Sequence, residues 1–360
     1  MSPPPKITVV VPCHDLGQYL EEAVESVRAQ TLQDLEIIVV DDGSTDPLTR
    51  EVLQRLAGVE VLLTNHRGPS AARNAGIRAA RGEYICSVDA DDRLEPDWLE
   101  RAAAVLDADP DVTFVSHWIR TFGDEEWEQT PQRCDLLTLL DRNTLGCAAL
   151  VRRQALLDAD LFDEEMHRFE DWDLWLRLVE RGHRGVIIPR VLYHYRRRPG
   201  SLSRAFDTTH LQLFERLIHK HEDSYRRHLL ELLQRREVAI AGLRWLADDL
   251  DHEHHHRLLP EIERLRQELP LLRRRVEEAR GQPLFAENRQ LRREVLRLQE
   301  KATAAERERE RLSRSVGDLW LALENARAEV AALHDSWSWR VTRPLRRVYE
   351  RLLRLPRGPR

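Results

Sequence analysis

Gly82-Glu-Tyr-Ile-Cys-Ser-Val-Asp-Ala-Asp-Asp92 decides how the rest of the chain is read. Tyr84 to Val88 is a short apolar, β-prone run, the pattern of a buried strand. It stops at three carboxylates, Asp89, Asp91 and Asp92. In an open α/β sheet ligands bind in the crevice beyond the carboxyl ends of the strands, so acids placed there stand where chemistry is done. Asp89 and Asp91 are two apart and point the same way from an extended segment. Oxygen ligands of this kind suit a hard divalent cation, Mg²⁺ or Mn²⁺, with positions left open for phosphate oxygens. The plainer alternative is a solvated acidic turn, with Asp92 or Asp97 capping the next helix.

Working outward toward the N-terminus, Ile7 to Val11 and Glu36 to Val40 are further buried-strand patterns, and Val59 to Leu62 is a shorter one. Helical spacing separates them: Tyr19, Leu20, Ala23, Val24 and Val27, then Leu48 to Ala57, then Ser70 to Ala80. Strand and helix alternate, which predicts an α/β fold with a mostly parallel central sheet flanked by helices. Neither Gly-x-Gly-x-x-Gly nor a Gly-Lys-Ser/Thr loop is present, which argues against a dinucleotide dehydrogenase or a P-loop enzyme. Strand ends place Pro12 to Asp15 and Asp41-Asp42 on the same rim as Asp89 to Asp92. A carboxylate such as Asp42 accepts hydrogen bonds from base or ribose donors, or simply shapes a turn. Arg73, on a helix near that rim, is read either as a partner that holds Asp42 ionised or as a plain surface arginine.

Toward the C-terminus, Asp111 to Ser116 reads as a strand and Phe122 to Asp135 as irregular chain. Gly146 to Arg152 reads as a strand of small residues that permits close ligand approach or tight packing. Phe169-Glu-Asp-Trp-Asp-Leu-Trp-Leu-Arg-Leu178 has Trp172, Trp175, Leu176 and Val179 at helical spacing, which puts Glu170 and Asp171 in a first helical turn. The positive end of a helix stabilises carboxylates there, whether as caps or as reactive groups. Val191 to Ser203 closes the region with His194, Arg196, Arg197, Arg198, Ser201 and Ser203. Arginines and hydroxyls near a diphosphate form charge-assisted hydrogen bonds.

Four stretches occur in a telling order: Ile7-Thr-Val-Val-Val-Pro-Cys-His-Asp15, Ile38-Val-Val-Asp-Asp-Gly-Ser-Thr-Asp46, Ala72-Arg-Asn-Ala-Gly76 and Gly82 to Asp92. Over residues 6 to about 205 the sequence resembles family 2 glycosyltransferases, inverting enzymes of the GT-A fold that use nucleotide sugars. The resemblance implies that Pro12, His14, Asp15, Asp42, Arg73 and Asp89 bind the nucleotide. It implies further that Asp89 and Asp91 form the Asp-x-Asp motif holding a divalent metal, with His194 as an additional ligand. Arg196, Arg198 and Ser201 would lie on the diphosphate. Asp171 matches the catalytic base, and Glu170 its orienting neighbour. One departure is His14-Asp15, where many relatives carry Tyr-Asn.

Composition sets the remaining limits. The chain has 360 residues, a net charge of −6 and 33 % charged residues, without the basic excess of a nucleic-acid binder. Four cysteines lack Cys-x-x-Cys spacing and read as buried thiols of a reducing cytosol. No apolar run approaches membrane-spanning length. Past residue 206 the α/β pattern gives way to a helical extension (207–282). Asp251-His-Glu-His-His-His256 within it reads as a polar helical turn rather than a metal site. From Asn288, Leu291, Leu298, Ala305, Leu312, Leu319, Ala326 and Leu333 repeat every seven residues beside Val295, Ala302, Arg309, Val316, Leu323 and Val330, the signature of a coiled coil over 283–335. A parallel homodimer is expected. Residues 340–360 hold eight arginines and one acid among Leu, Val and Tyr, a composition suited to an anionic membrane surface.

The expectation is therefore a cytoplasmic, metal-dependent glycosyltransferase acting on a glycan or lipid-linked acceptor, its domain halves being 6–105 for the nucleotide and 106–206 for the acceptor. A nucleotidyltransferase and a non-catalytic coiled-coil scaffold are the competing readings.

Overall fold

The computed structural model describes residues 3–198, 208–278 and 285–335. Contacts divide the chain into two compact units, the first running to Leu232 and the second comprising Leu233–Asp335.

Among the described residues the first unit has nine strands: β1 (Ile7–Cys13), β2 (Leu35–Asp41), β3 (Glu60–Leu63), β4 (Tyr84–Ser87), β5 (Arg93–Leu94), β6 (Val112–Gly123), β7 (Glu128–Gln129), β8 (Leu150–Arg152) and β9 (Arg184–Arg197). Their order is β3-β2-β1-β4-β8-β6-β9-β5, with β7 beside β6. Every residue of β1 is buried, as expected for a central strand covered on both faces. It pairs in parallel with β2 on one side and β4 on the other. The chain thus winds outward through β2 and β3 and then returns to the opposite flank of β1. That reversal opens a crevice past the carboxyl ends of β1 and β4, where Asp89 stands.

The nucleotide half is parallel as expected, whereas the acceptor half is mixed. β8 is antiparallel to both β4 and β6, while β6 and β9 run parallel. Two expectations need correction here. Phe122 and Gly123 belong to the long β6 and Glu128–Gln129 to β7, so the stretch 122–135 is partly sheet. Only Leu150–Arg152 of the small-residue stretch is strand. The first escaped the sequence because its polar residues pair across strands, as Arg120 does with Glu128.

Helices α1 (Gly17–Arg28), α2 (Pro47–Arg55), α3 (Pro69–Ala79), α4 (Trp98–Ala108), α5 (Leu136–Asp141), α6 (Arg153–Asp158) and α7 (Glu170–Glu180) link the strands. α3 lies unusually close to the sheet: a Cβ on Gly76 would stand 2.4 Å from Val10 Cγ1 and 3.1 Å from Val40 Cγ2. This approach buries Arg73 and Asn74 at the rim. α8 (Thr208–Lys220) and the start of α9 (Glu222–Glu253) complete the unit, burying Phe214, Leu217, Tyr225 and Leu229. The globular unit therefore extends beyond residue 206. His221 is clamped there between Asp173 and Glu180, which ties this extension to α7.

In the second unit, α9 passes through a π-helical turn (His254–Leu258) into α10 (Leu259–Glu278), and α11 spans Phe285–Asp335. Arg266 pairs with Glu306, and Arg257, nine residues earlier, with Glu308, so α11 runs back along α10. Ala305, Leu323 and Val330 of the heptad series are buried, as are Leu258, Ile262 and Leu265. These three seam positions are thus covered within the chain, while Leu298, Leu312, Val316 and Leu319 stay half-buried; a heptad stripe is satisfied by any facing apolar helix. His252 and His256 lie ring to ring at 4.3 Å on the polar turn. Among the described residues no helix is long and apolar enough to cross a membrane. The basic segment 336–360 lies outside the described residues.

Candidate active site

The rim past the sheet has two sectors. In the first, carboxylates are filled by the protein itself. Asp15 has a left-handed backbone (φ 52°) and accepts from the N–H groups of Thr45 (2.7 Å) and Asp46 (2.8 Å). Those bonds hold its carboxyl below the usual range and lock the loop after β1 to the loop after β2. Asp42 is buried and accepts from Gly68 N (2.7 Å), Arg67 N (3.1 Å) and the Thr64 hydroxyl (3.0 Å). His14 and His66 stack at 4.0 Å, each directing Nδ1 at the Asp42 carbonyl oxygen. Pro12 is buried inside β1.

The second sector has acids in excess of cations. Arg73 does not reach Asp42, contrary to the first of its two readings. Its Nη2 donates to Asp89 Oδ1 and its Nη1 to Glu170 Oε1, each at 2.7 Å. The close seating of α3 turns the guanidinium across the crevice instead of along it. Burial works against the buried guanidinium's charge, yet Asp89 and Glu170 raise its pKa further above an already high value. One cation therefore joins the end of β4 to the first turn of α7, bringing together two motifs 81 residues apart (170 − 89). Asn74, one residue on, brackets the Phe162 backbone with bonds of 2.8 and 2.9 Å and anchors the chain leading to α7.

Phe169, in the left-handed region (φ 64°), starts α7 and sets Glu170 and Asp171 in its first turn. Burial first, and then the neighbouring Glu170, push the Asp171 pKa to about 7. Asp171 Oδ1 accepts from Trp172 N (2.7 Å) and from Asn143 Nδ2 (3.2 Å). Asp91 accepts from Arg198 Nε at 2.7 Å, but burial and repulsion from Asp89 still raise its pKa. Asp92 is no helix cap. It is buried, accepts from the Tyr193 hydroxyl (2.5 Å) and Arg196 N (2.7 Å), and is pushed well up by burial and by Asp91 and Asp89.

Burial and neighbouring carboxylates raise the pKa of Asp91, Asp92 and Asp171 despite the nearby guanidinium groups, so the crevice is short of positive charge. Among the described residues no three His, Cys, Asp or Glu side chains are gathered to hold a metal ion, so Asp89 and Asp91 would offer a divalent cation two carboxylates, with non-protein oxygens completing its shell. His194 does not join that set. Register across from Arg93 turns its Nε2 to Glu95 at 2.5 Å. Arg196 is fixed by Nε on the Asp91 carbonyl (2.8 Å) and lies over the Tyr19 and Phe122 rings. Ser201 lies outside the described residues.

Sequence reasoning passed over Asn143, Asn74, Tyr193 and the Cys147 thiol, whose Sγ is 3.5 Å from Asp89 Oδ2. Of these only Asn74, inside the Ala72–Gly76 motif, carried a signal. All four cysteines are free, three of them buried.

A doubly flanked β1 with acids past its neighbour, faced by a Glu-Asp pair opening a helix, matches what the resemblance to GT-A glycosyltransferases implied. Residues 8–166 match the model of glycosyl transferase family 2. The succinoglycan biosynthesis protein ExoO of Rhizobium meliloti is 31 % identical over 236 residues, covering 59 % of this chain and 68 % of that protein. The glycosyltransferase GlyG of Streptococcus pneumoniae is 32 % identical over 223 residues, covering 55 % and 73 %. The chain belongs to glycosyl transferase family 2, and it is a transferase. It spans only 23 % of another relative, the uncharacterized protein y4gI of Sinorhizobium fredii, at 36 % identity over 55 % of this chain. In fold it is similar to Staphylococcus aureus TarS 1–349, crystallised with UDP-GlcNAc, at a TM-score of 0.50 and 24 % identity over 59 % of this chain and 65 % of that crystallised chain.

Proposed function

We propose that the first unit transfers a sugar from a nucleoside-diphosphate donor to a hydroxyl of a glycan or lipid-linked acceptor, with inversion, in cell-surface polysaccharide synthesis. The observation that carries this reading is Arg73 bridging Asp89 and Glu170, which sets a donor-side acid and the base-bearing turn on one cation. Asp171 takes the proton of the acceptor hydroxyl. The oxygen then bonds to the anomeric carbon as the bond to the diphosphate breaks, its electron pair leaving with the diphosphate. A single base suffices for such a displacement. Burial keeps Asp171 basic enough for this step, while Arg73 holds the Glu170 carboxyl beside it. Asp89 and Asp91 would hold Mg²⁺ or Mn²⁺, which when bound supplies positive charge to the leaving diphosphate. Arg198, already on Asp91, stands ready to contact the same phosphates.

The saturated Asp42 carboxylate favours a loop-shaping role. The stacked His14–His66 pair is the better candidate for the face that meets the base. A thermal-shift panel of nucleoside diphosphates and nucleotide sugars, UDP-GlcNAc first, with and without Mn²⁺, tests the reading. Stabilisation by a nucleotide and its enhancement by metal are expected. A flat response across the panel would hand the chain to the scaffold reading.

Residues 336–360 are proposed to rest on an anionic membrane, which liposome flotation of the full chain and a chain ending at residue 335 examines. Self-association through 283–335 would require the hairpin to open or to pair through its outer faces. Sedimentation before and after truncation at residue 282 measures it, and an unchanged stoichiometry removes it.

A further inference from the structure

The loop between α5 and β8 touches both acidic groups of the crevice. At its end the Cys147 thiol approaches Asp89. At its start Asn143 reaches Asp171. The amide of Asn143 has a defined direction: its Oδ1 accepts from Leu145 N at 3.2 Å, so its Nδ2 is the end presented to Asp171. A carboxylate oxygen has two lone-pair sites. Asn143 and the Trp172 N–H both fall on Asp171 Oδ1, whereas Oδ2 has no donor among the described residues.

The geometry points to Asn143 as the positioning residue of the base: with Trp172 N–H it occupies Oδ1 and leaves Oδ2 as the oxygen offered to the acceptor hydroxyl. This rests on Asp171 being the base. An orienter hydrogen-bonded to a general base is a recurring arrangement, since a base free to rotate presents its lone pair only part of the time. The groups facing Asp171 are Glu170 on its own helix, Arg73 from α3 and the Cys147 thiol, which stays neutral because burial and Asp89 push its pKa well up. None of these occupies Oδ2.

Carboxyl-carbon NMR of the full chain labelled at aspartate tests the assignment without any substrate. In the native protein one carboxyl should titrate near 7, and Asp171→Asn should remove that signal. In Asn143→Ala its midpoint should climb by about one pH unit, because the lost N–H favoured the ionised form. Asn143→Ser, which keeps a small polar group but cannot span the gap, should do the same and serves if the alanine variant folds poorly. A midpoint that stays put while the melting temperature drops makes Asn143 a packing residue and overturns the proposal. Absence from the native spectrum of any titration that Asp171→Asn removes defeats the base assignment itself, a result distinguishable from the first.

Discussion

Asp42 and Asp171 lie on the same rim and have opposite surroundings. Asp42 meets two backbone N–H groups and a hydroxyl, all supplied by the chain that follows β3. Asp171 meets two donors on one oxygen, a neighbouring glutamate and an arginine already shared with Asp89. The first carboxylate is satisfied and builds a loop. The second is short of donors, and burial beside Glu170 lifts it to about 7. An acid that the fold leaves incompletely solvated is the one able to take a proton near neutral pH, and it does so at the expense of stability.

The contrast is open to direct attack, most strongly at Asp171. Asp171→Asn should lower turnover by about 10²- to 10⁴-fold while leaving the thermal response to nucleotide intact. In the native enzyme turnover should rise with pH through about 7, since the base acts ionised. Loss of nucleotide response in that variant would mean Asp171 shapes the donor site instead. Next, Asp91→Asn should weaken Mn²⁺ binding, followed by electron paramagnetic resonance, by about tenfold or more. Unchanged affinity would remove the acid cluster from metal binding.

The stability predictions carry opposite signs in the two sectors. Asp42→Asn sets an amide N–H against backbone donors and should destabilise by about 1–3 kcal/mol, read from urea unfolding of the first transition. For Asp171 the folded pKa lies above the unfolded one, so its stabilising contribution is present at low pH and lost as pH rises through about 7. Asp171→Asn should therefore melt higher than the native chain at pH 8, with the gap closing toward pH 5. A variant that melts lower at pH 8 would place Asp171 with Asp42 among the structural acids.

The four ordered motifs, the continuous apolar runs and the period-3.6 patterns made the nucleotide half legible, because buried parallel strands are continuous apolar runs. The acceptor half was less so. Its strands carry paired polar residues, and the chain past residue 206 reads as a separate helical extension until Phe214 of α8 and Tyr225 of α9 are seen buried. Asn143 belongs to no pattern, since one loop amide has no periodic partner.

Sequence alone determined which acids stand at strand and helix ends, because hydrophobic periodicity says where an element stops. Only tertiary structure decided which of them share a cation, which are saturated and which are left basic. Arg73 illustrates the division: it belongs by spacing to the rim near Asp42, yet the seating of α3 on Gly76 sends it to Asp89 and Glu170. The heptads of α11 likewise announce an apolar stripe, while the return of the chain along α10 decides what covers it. Distances across a crevice depend on how closely elements pack, and packing is set by side chains far apart in sequence.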